Sequence, residues 1–242
     1  MAQVLAERHL ASGHVAWVSM SETTDGDMAI GDLRTRKESI QRASQSLMEH
    51  NAGLVIPSSQ HWSFLTQVHG EKCIQVGTND AITGAEGDAL LTDQEEKVLT
   101  VQVADCVPIA LISENGAIAV IHAGWRGLLN GVIESASQDL ERRVTGSQVA
   151  VIGPHIGSCC YEFGRQDLES FIKRFGPSVV GNTGSSSSSL DLSKITRVIL
   201  EKENIELIYE DSSCTSCETK FWSYRANRTQ KRQCLFAWLE KN

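Results

Sequence analysis

Ile121-His122-Ala123-Gly124-Trp125-Arg126-Gly127 joins an apolar run to an amphipathic one. Residues 117–121 are apolar and partly β-branched, which predicts a strand. Across residues 128–143, Leu129, Val132, Ile133, Ala136 and Leu140 recur at helical spacing, which predicts a helix with one buried face. The quoted stretch is then a strand-to-helix turn carrying an imidazole, a guanidinium and two glycines. Upstream, Val98–Val103 and residues 107–112 are β-branched runs joined by Ala104-Asp105-Cys106. Residues 64–68 and 73–76 flank Val68-His69-Gly70-Glu71 and read as strands around a turn.

Further out the pattern stays mixed. Residues 15–18, 88–92, 149–152, 205–209 and 235–239 read as strands. Residues 37–50 read as a helix, with Ile40, Ala43, Leu47 and Met48 near one face, and 167–175 as another. Asp191 is an N-cap for a third, followed by Ile195, Val198, Ile199 and Leu200. Residues 21–32 are polar and glycine-bearing, hence a loop, and Gly153-Pro154-His155-Ile156-Gly157 is turn chemistry. The Gly/Ser stretch 181–189 is expected to be mobile. Helices and strands are interspersed without clean alternation. That predicts an α+β fold of mixed β-sheets packed together and flanked by helices, in one domain spanning 1–242.

Composition narrows the function. The 242 residues carry a formal charge of −8, which argues against general nucleic-acid binding and against attraction to anionic membranes. A small anionic substrate remains compatible, because local charge matters more than the total. No basic and apolar leader opens the chain, and no apolar run approaches the roughly 18 residues that span a bilayer. Seven cysteines, an odd count, fit a reducing compartment with free or metal-bound thiols, so a cytoplasmic protein is expected.

His69, Cys106 and His122 each stand at the end of an apolar run, where strands deliver side chains to a shared edge. Neutral imidazole and thiolate both suit Zn²⁺. Three protein ligands with an open fourth position form a catalytic site, and zinc there lowers the pKa of bound water toward ~7. Separations of 37 and 16 residues match no compact zinc-finger pattern. Taken singly, His69 also reads as a solvated loop histidine and Cys106 as a small buried hydrophobe. Arg126, beside Gly124 and Trp125 and just before the helix at Leu128, suits a phosphate or carboxylate, or else pairs with a structural carboxylate. Asp105 orients a ligating histidine, handles a proton, or caps a turn. His155 donates a proton to a leaving group or is structural. Cys159-Cys160 reads as buried packing. Cys214-Thr215-Ser216-Cys217 is a single CxxC lacking a second pair, so it too reads as packing rather than a zinc site. Phe221-Trp222-Ser223-Tyr224-Arg225 offers base stacking by Tyr224 and its neighbours, or a core and rim role.

These motifs, with Gly87-Asp88-Ala89-Leu90, Ile152-Gly153-Pro154-His155-Ile156-Gly157 and Cys159-Cys160-Tyr161-Glu162, stand in an order that resembles the laccase-domain family. That family was formerly called polyphenol oxidases and is now regarded as purine nucleoside phosphorylases. The likeness runs from about Trp62 to Leu239. It implies His69, Cys106 and His122 as zinc ligands. It also implies phosphorolysis of adenosine, inosine, guanosine and methylthioadenosine, with deamination of adenosine. Purine nucleosides and phosphate are then the partners, with Gly124, Trp125, Tyr224 and Arg42 as substrate contacts. The chain departs from the family near its start. A Thr-Arg-x-Gly-Gly-x-Ser loop is shortened to Ser21-Glu22-Thr23-Thr24-Asp25-Gly26-Asp27-Met28-Ala29-Ile30, and the usual Asn-Arg pair reads Gln41-Arg42. The familiar H-x-E with P-C-x-x-C deaminase signature is absent.

Three other readings stand beside this one. A copper polyphenol oxidase needs many imidazoles, yet histidines 9, 14, 50, 61, 69, 122 and 155 include no His-x-His pair. A metal-free cysteine hydrolase would use Cys106 as nucleophile and His122 as base. A binding module would hold nucleosides without turnover. Oligomeric state is left open by the sequence.

Overall fold

The computed structural model describes residues 1–241 other than 30, 32, 80 and 184–186. Its strands are β1 (Gln3–His9), β2 (His14–Met20), β3 (Trp62–Thr66), β4 (Cys73–Gln75), β5 (Thr83–Glu86), β6 (Ala89–Thr92), β7 (Val98–Val103), β8 (Val107–Ser113), β9 (Ala117–Ala123), β10 (Gln148–Ile152), β11 (Val180–Asn182), β12 (Ser188–Leu190), β13 (Glu206–Glu210) and β14 (Gln233–Lys241). The helices are α1 (Leu33–His50), α2 (Trp125–Asn130), α3 (Val132–Arg143), α4 (Arg165–Phe175), α5 (Leu192–Lys202) and α6 (Tyr224–Asn227).

Two six-stranded mixed sheets pack face to face. The first runs β1-β2-β14-β7-β3-β5 and the second β13-β10-β8-β9-β6-β4. Side-chain alternation along the central strands builds the layers. In β8, Ala110 and Ile112 join Val101, Leu235 and Ala237 of the first sheet in the core between the sheets. Val107, Ile109 and Leu111 point the other way, against Val132, Ile133, Ala136 and Leu140 of α3 and Ile195 and Ile199 of α5. The first sheet's outer face, with Trp62, Phe64, Phe236 and Trp238, takes Ile40, Ala43 and Leu47 of α1. The order of layers is helix, sheet, sheet, helices. Strands buried on both faces explain why β8 and β9 read as continuous apolar runs.

Several expectations change. The segments flanking His69 are strands, shifted to Trp62–Thr66 and Cys73–Gln75, and they lie in different sheets: β3 pairs with β5 and β7 in the first, whereas β4 pairs with β6 in the second. Likewise β7 and β8, joined through Cys106, lie in different sheets. The helix expected over 128–143 begins at Trp125 and breaks at Gly131, whose φ of 95° closes α2 before α3 starts. Part of the stretch expected to be mobile is an ordered ribbon, β11 with β12; 184–186 lie outside the described residues. The loop over 21–32 holds a short 3₁₀ turn, Thr23–Asp25, and its residues 30 and 32 also lie outside them. No helix among the described residues is long and apolar enough to cross a membrane.

Leu111 is fully buried between β8 and the helices. Leu111→Ala is expected to destabilise the protein by about 2–5 kcal/mol, read as a lower urea midpoint at unchanged slope.

Candidate metal centre

The site forms where the chain passes from one sheet to the other. His69 follows β3 on its way to β4, Cys106 sits between β7 and β8, and His122 is the penultimate residue of β9. Pairing of Val107 with Ala123 and of Ala89 with Ile121 puts the beginnings of β8 and β6 beside the end of β9. One rim of the sandwich therefore collects all three side chains. Their ligand atoms lie within 4.8 Å of one another. Cys106 Sγ stands 3.9 Å from His69 Nε2, and the two imidazole rings meet edge to face at 4.8 Å.

Two ligand loops adopt backbone conformations that side-chain-bearing residues rarely take. His69 has φ 59° and Asp105, next to Cys106, has φ 91°. Fixed contacts hold both. The buried Asp88 carboxylate accepts the backbone N–H groups of Val68, His69 and Gly70 at 3.2, 2.9 and 2.7 Å. It also accepts His122 Nδ1 at 2.8 Å. That bond fixes the His122 tautomer and leaves Nε2 for the cluster. Asp105 accepts Thr215 Oγ1 at 2.7 Å and the Arg225 N–H at 2.6 Å, while its carbonyl accepts the Ile156 N–H.

The charges follow this geometry. Burial alone would raise the Asp88 carboxyl, but the bond and charge of His122, with the Gly70 and His69 amides, hold it below the usual range. Burial would likewise raise the Cys106 thiol, yet His122 and His69 bring it down; Cys106 and Asp88 push His122 up against its own burial. Without a metal, the pair therefore favours thiolate beside imidazolium.

The donor set fits a borderline-soft, four-coordinate ion such as zinc: two imidazoles, one thiolate, and a carboxylate behind one imidazole. Gly124 makes the approach feasible. A Cβ there would lie 2.7 Å from His69 Cδ2 and 3.1 Å from Cys106 Sγ.

The remaining expected site residues divide. Arg126 is exposed, stacks on Trp125 at 4.3 Å, and pairs with no carboxylate among the described residues. It lies inside the first turn of α2 rather than before the helix. Trp125 itself packs against Phe163 and Phe171. Among the described residues Asp105 has no hydrogen bond to His69 or His122; it holds the 214–225 segment instead. His155 is buried and donates from Nδ1 to the Gly153 carbonyl at 2.9 Å, and burial lowers its pKa. That shift favours the neutral ring, whose Nδ1 proton is engaged by the carbonyl. Tyr224 is exposed, with Arg228 over its ring. Arg42 bonds the Asp25 carbonyl and Ser39, beside Gly26, and is not drawn into the cluster. A groove of about 930 Å³ runs between α1 and residues 56–59, and none of the cluster residues lines it.

Sequence reasoning missed Asp88, Thr215 and Tyr161. Tyr161 lies close enough to Cys106, Arg225, Asp105 and Arg126 to feel their charges, and burial first, then Cys106, raises its pKa. Its hydroxyl makes no hydrogen bond among the described residues, and Arg225 stacks on its ring at 4.8 Å. The Asp88 and Tyr161 motifs were visible, but nothing local marked their roles.

A two-sheet sandwich with two imidazoles and a thiol gathered at one rim makes a candidate metal site, and similar proteins give the chain a family. The profile described as multi-copper polyphenol oxidoreductase laccase matches residues 20–240. A purine nucleoside phosphorylase of Clostridium acetobutylicum is 32% identical over 170 residues, covering 67% of this chain and 70% of that one. One of Haemophilus influenzae is 30% identical over 220 residues, covering 87% and 86%. Adenosine deaminase RL5, from an unknown prokaryotic organism, is 33% identical over 182 residues, covering 71% and 69%. Among solved structures, YlmD of Geobacillus stearothermophilus superposes with a TM-score of 0.76 at 25% identity, over 94% of this chain and 92% of that one. The chain belongs to the laccase-domain family.

Gly124 has φ −74°, which any residue adopts, so Gly124→Ala is expected to fold normally. Its methyl would push His69 and Cys106 apart. Metal affinity, read by chelator competition, should fall by about 10- to 100-fold, as when a supporting group is lost.

Proposed function

We propose that this chain is a zinc-dependent purine nucleoside phosphorylase that also deaminates adenosine. Its substrates would be adenosine, inosine, guanosine or methylthioadenosine, with phosphate. The observation that carries the reading is the convergence of His69, Cys106 and His122 behind the Asp88 carboxylate. The relatives named as phosphorylases and as an adenosine deaminase support the substrate class.

When bound, zinc would supply electrophilic polarisation of an oxygen at the rim. The chain's own groups would do the rest. Arg126 has an uncommitted guanidinium stacked on a core-anchored ring, so it can hold phosphate against the sugar without leaving its place. The Tyr161 hydroxyl, kept protonated by burial, can donate a hydrogen bond to the departing purine. His155 is less suited to that task, because its Nδ1 proton is held by the Gly153 carbonyl. Asp105 would act as a positioning residue, fixing the backbone next to Cys106.

A metal-free cysteine hydrolase is supported by the adjacency of Cys106 and His122, each of which shifts the other's pKa toward its charged form. The copper oxidase reading has the description of the matching profile behind it but, among the described residues, no second cluster of imidazoles. Among the described residues, His9, His14, His50, His61 and His155 join no cluster with metal-ligand spacing.

Zinc-loaded protein incubated with adenosine is expected to release adenine and ribose 1-phosphate only when phosphate is present, and inosine with or without it. Chromatography showing neither product would reject the proposal. Activity that survives chelation would favour the hydrolase. Arg126→Ala should cost about 10²-fold in kcat/KM for phosphorolysis and spare deamination. Tyr161→Phe should lower kcat for phosphorolysis by about 10²-fold at little change in phosphate KM.

A further inference from the structure

The two cysteine motifs that read as packing meet in space. Cys159 and Cys160 follow β10, and Cys214 and Cys217 follow β13; these strands are parallel neighbours, so both segments leave the sheet at the same end. The four sulfurs lie within 4.8 Å of one another. Cys160 and Cys217 are 3.4 Å apart, and Cys159 and Cys217 are 3.8 Å apart. All four thiols are free. A disulfide would need about 2.05 Å. A tetrahedral ion with Zn–S bonds of about 2.3 Å holds its sulfurs about 3.8 Å apart.

The surroundings suit such an ion. The Gly157 N–H donates to Cys214 Sγ at 3.2 Å, and a Cβ on Gly157 would lie 3.1 Å from Cys159 Sγ. A tight turn, with the Cys217 and Glu218 amides on the Cys214 carbonyl, brings both ends of the CxxC to one side. We propose that Cys159, Cys160, Cys214 and Cys217 bind a second, structural Zn²⁺ as a closed four-thiolate site. It shares no residue with the His69, Cys106, His122 cluster. Four thiolates leave no open position, so the ion does no chemistry.

Its effect reaches the first cluster through Thr215, which lies inside the CxxC. The Thr215 amide donates to the His155 carbonyl at 3.0 Å, and its hydroxyl donates to Asp105, the neighbour of Cys106. Fastening the 157–160 and 214–217 turns together would hold that contact in place.

The test uses the full chain purified under reducing conditions with zinc, then desalted. Wild-type protein is expected to carry about two equivalents of zinc by mass spectrometry of the metal. Cys106→Ala should retain about one, and Cys214→Ser with Cys217→Ser should lose one. Cobalt(II)-loaded Cys106→Ala should give the tetrahedral d–d bands and strong near-ultraviolet charge transfer of an all-thiolate site. If the variants do not fold, X-ray absorption of the zinc-loaded wild type replaces them. It should report about two to three sulfurs per zinc rather than about one. No metal in folded Cys106→Ala would overturn the proposal. So would one sulfur per zinc in the wild type, or an intact mass lighter by the hydrogens of two disulfides. None of these outcomes depends on what the first cluster catalyses.

Discussion

One buried carboxylate organises the rim. Asp88 takes three successive backbone amides from the loop carrying His69, and the ring of His122. A carboxylate removed from water is costly unless donors surround it. Here four donors do, and they come from two segments far apart in sequence. The bonds that satisfy Asp88 also fix two of the three candidate ligands. Backbone bonds hold His69 at φ 59°, and the side-chain bond selects the free nitrogen of His122. Loss of the carboxylate would release both at once.

The third ligand is held by a different device with the same logic. Asp105 sits at φ 91° and its carboxylate is engaged by Thr215 and Arg225, so Cys106 leaves a turn whose strain is offset by fixed contacts. Both strained turns occur where the chain crosses between sheets. The crossings occupy residues 67–72 and 104–106, and tight redirection there favours uncommon φ values. The sandwich thus brings the donors together at the points where its topology already requires turns. Gly124 supplies the remaining space, because a side chain there would occupy the position that His69 and Cys106 share.

Much of the fold was legible, for a reason visible in particular strands. Val98–Val103 and residues 107–112 carry continuous β-branched runs because both faces of each are covered, and Asp191 caps α5 through the Lys194 amide as its type predicts. What failed depended on partners. The β3 and β4 segments were legible as strands around a turn, but local sequence does not say which sheet a strand joins. Gly131 broke the long helix, although the apolar spacing on either side stayed in phase. β1 went unread, since only part of Gln3–His9 is buried and its alternation is weak. The three candidate ligands were found through co-linear motifs rather than spacing. Asp88 was in one of those motifs, yet its role rests on a loop closing around it. The single CxxC was discounted for want of a second pair. That pair exists as adjacent cysteines 57 residues upstream by the chain, brought near by the parallel β10 and β13.

Net charge illustrates the same limit. A formal charge of −8 describes a field that weakens over about a Debye length, roughly 8–10 Å in physiological salt. At the rim the local balance differs. Arg126 lies on Trp125, and Arg225 lies on Tyr161. An aromatic face holds a guanidinium without neutralising it, whereas a carboxylate would cancel its charge. Among the described residues the Arg126 N–H edge has no hydrogen-bond partner, and Arg225 uses one N–H on the Glu162 carbonyl. Trp125 is in turn wedged against Phe163 and Phe171, so the positive group rests on the core rather than on a flexible stem. An acidic protein can therefore present a fixed cationic edge to an anion, and the core aromatics that place that edge belong to the same packing that builds the fold.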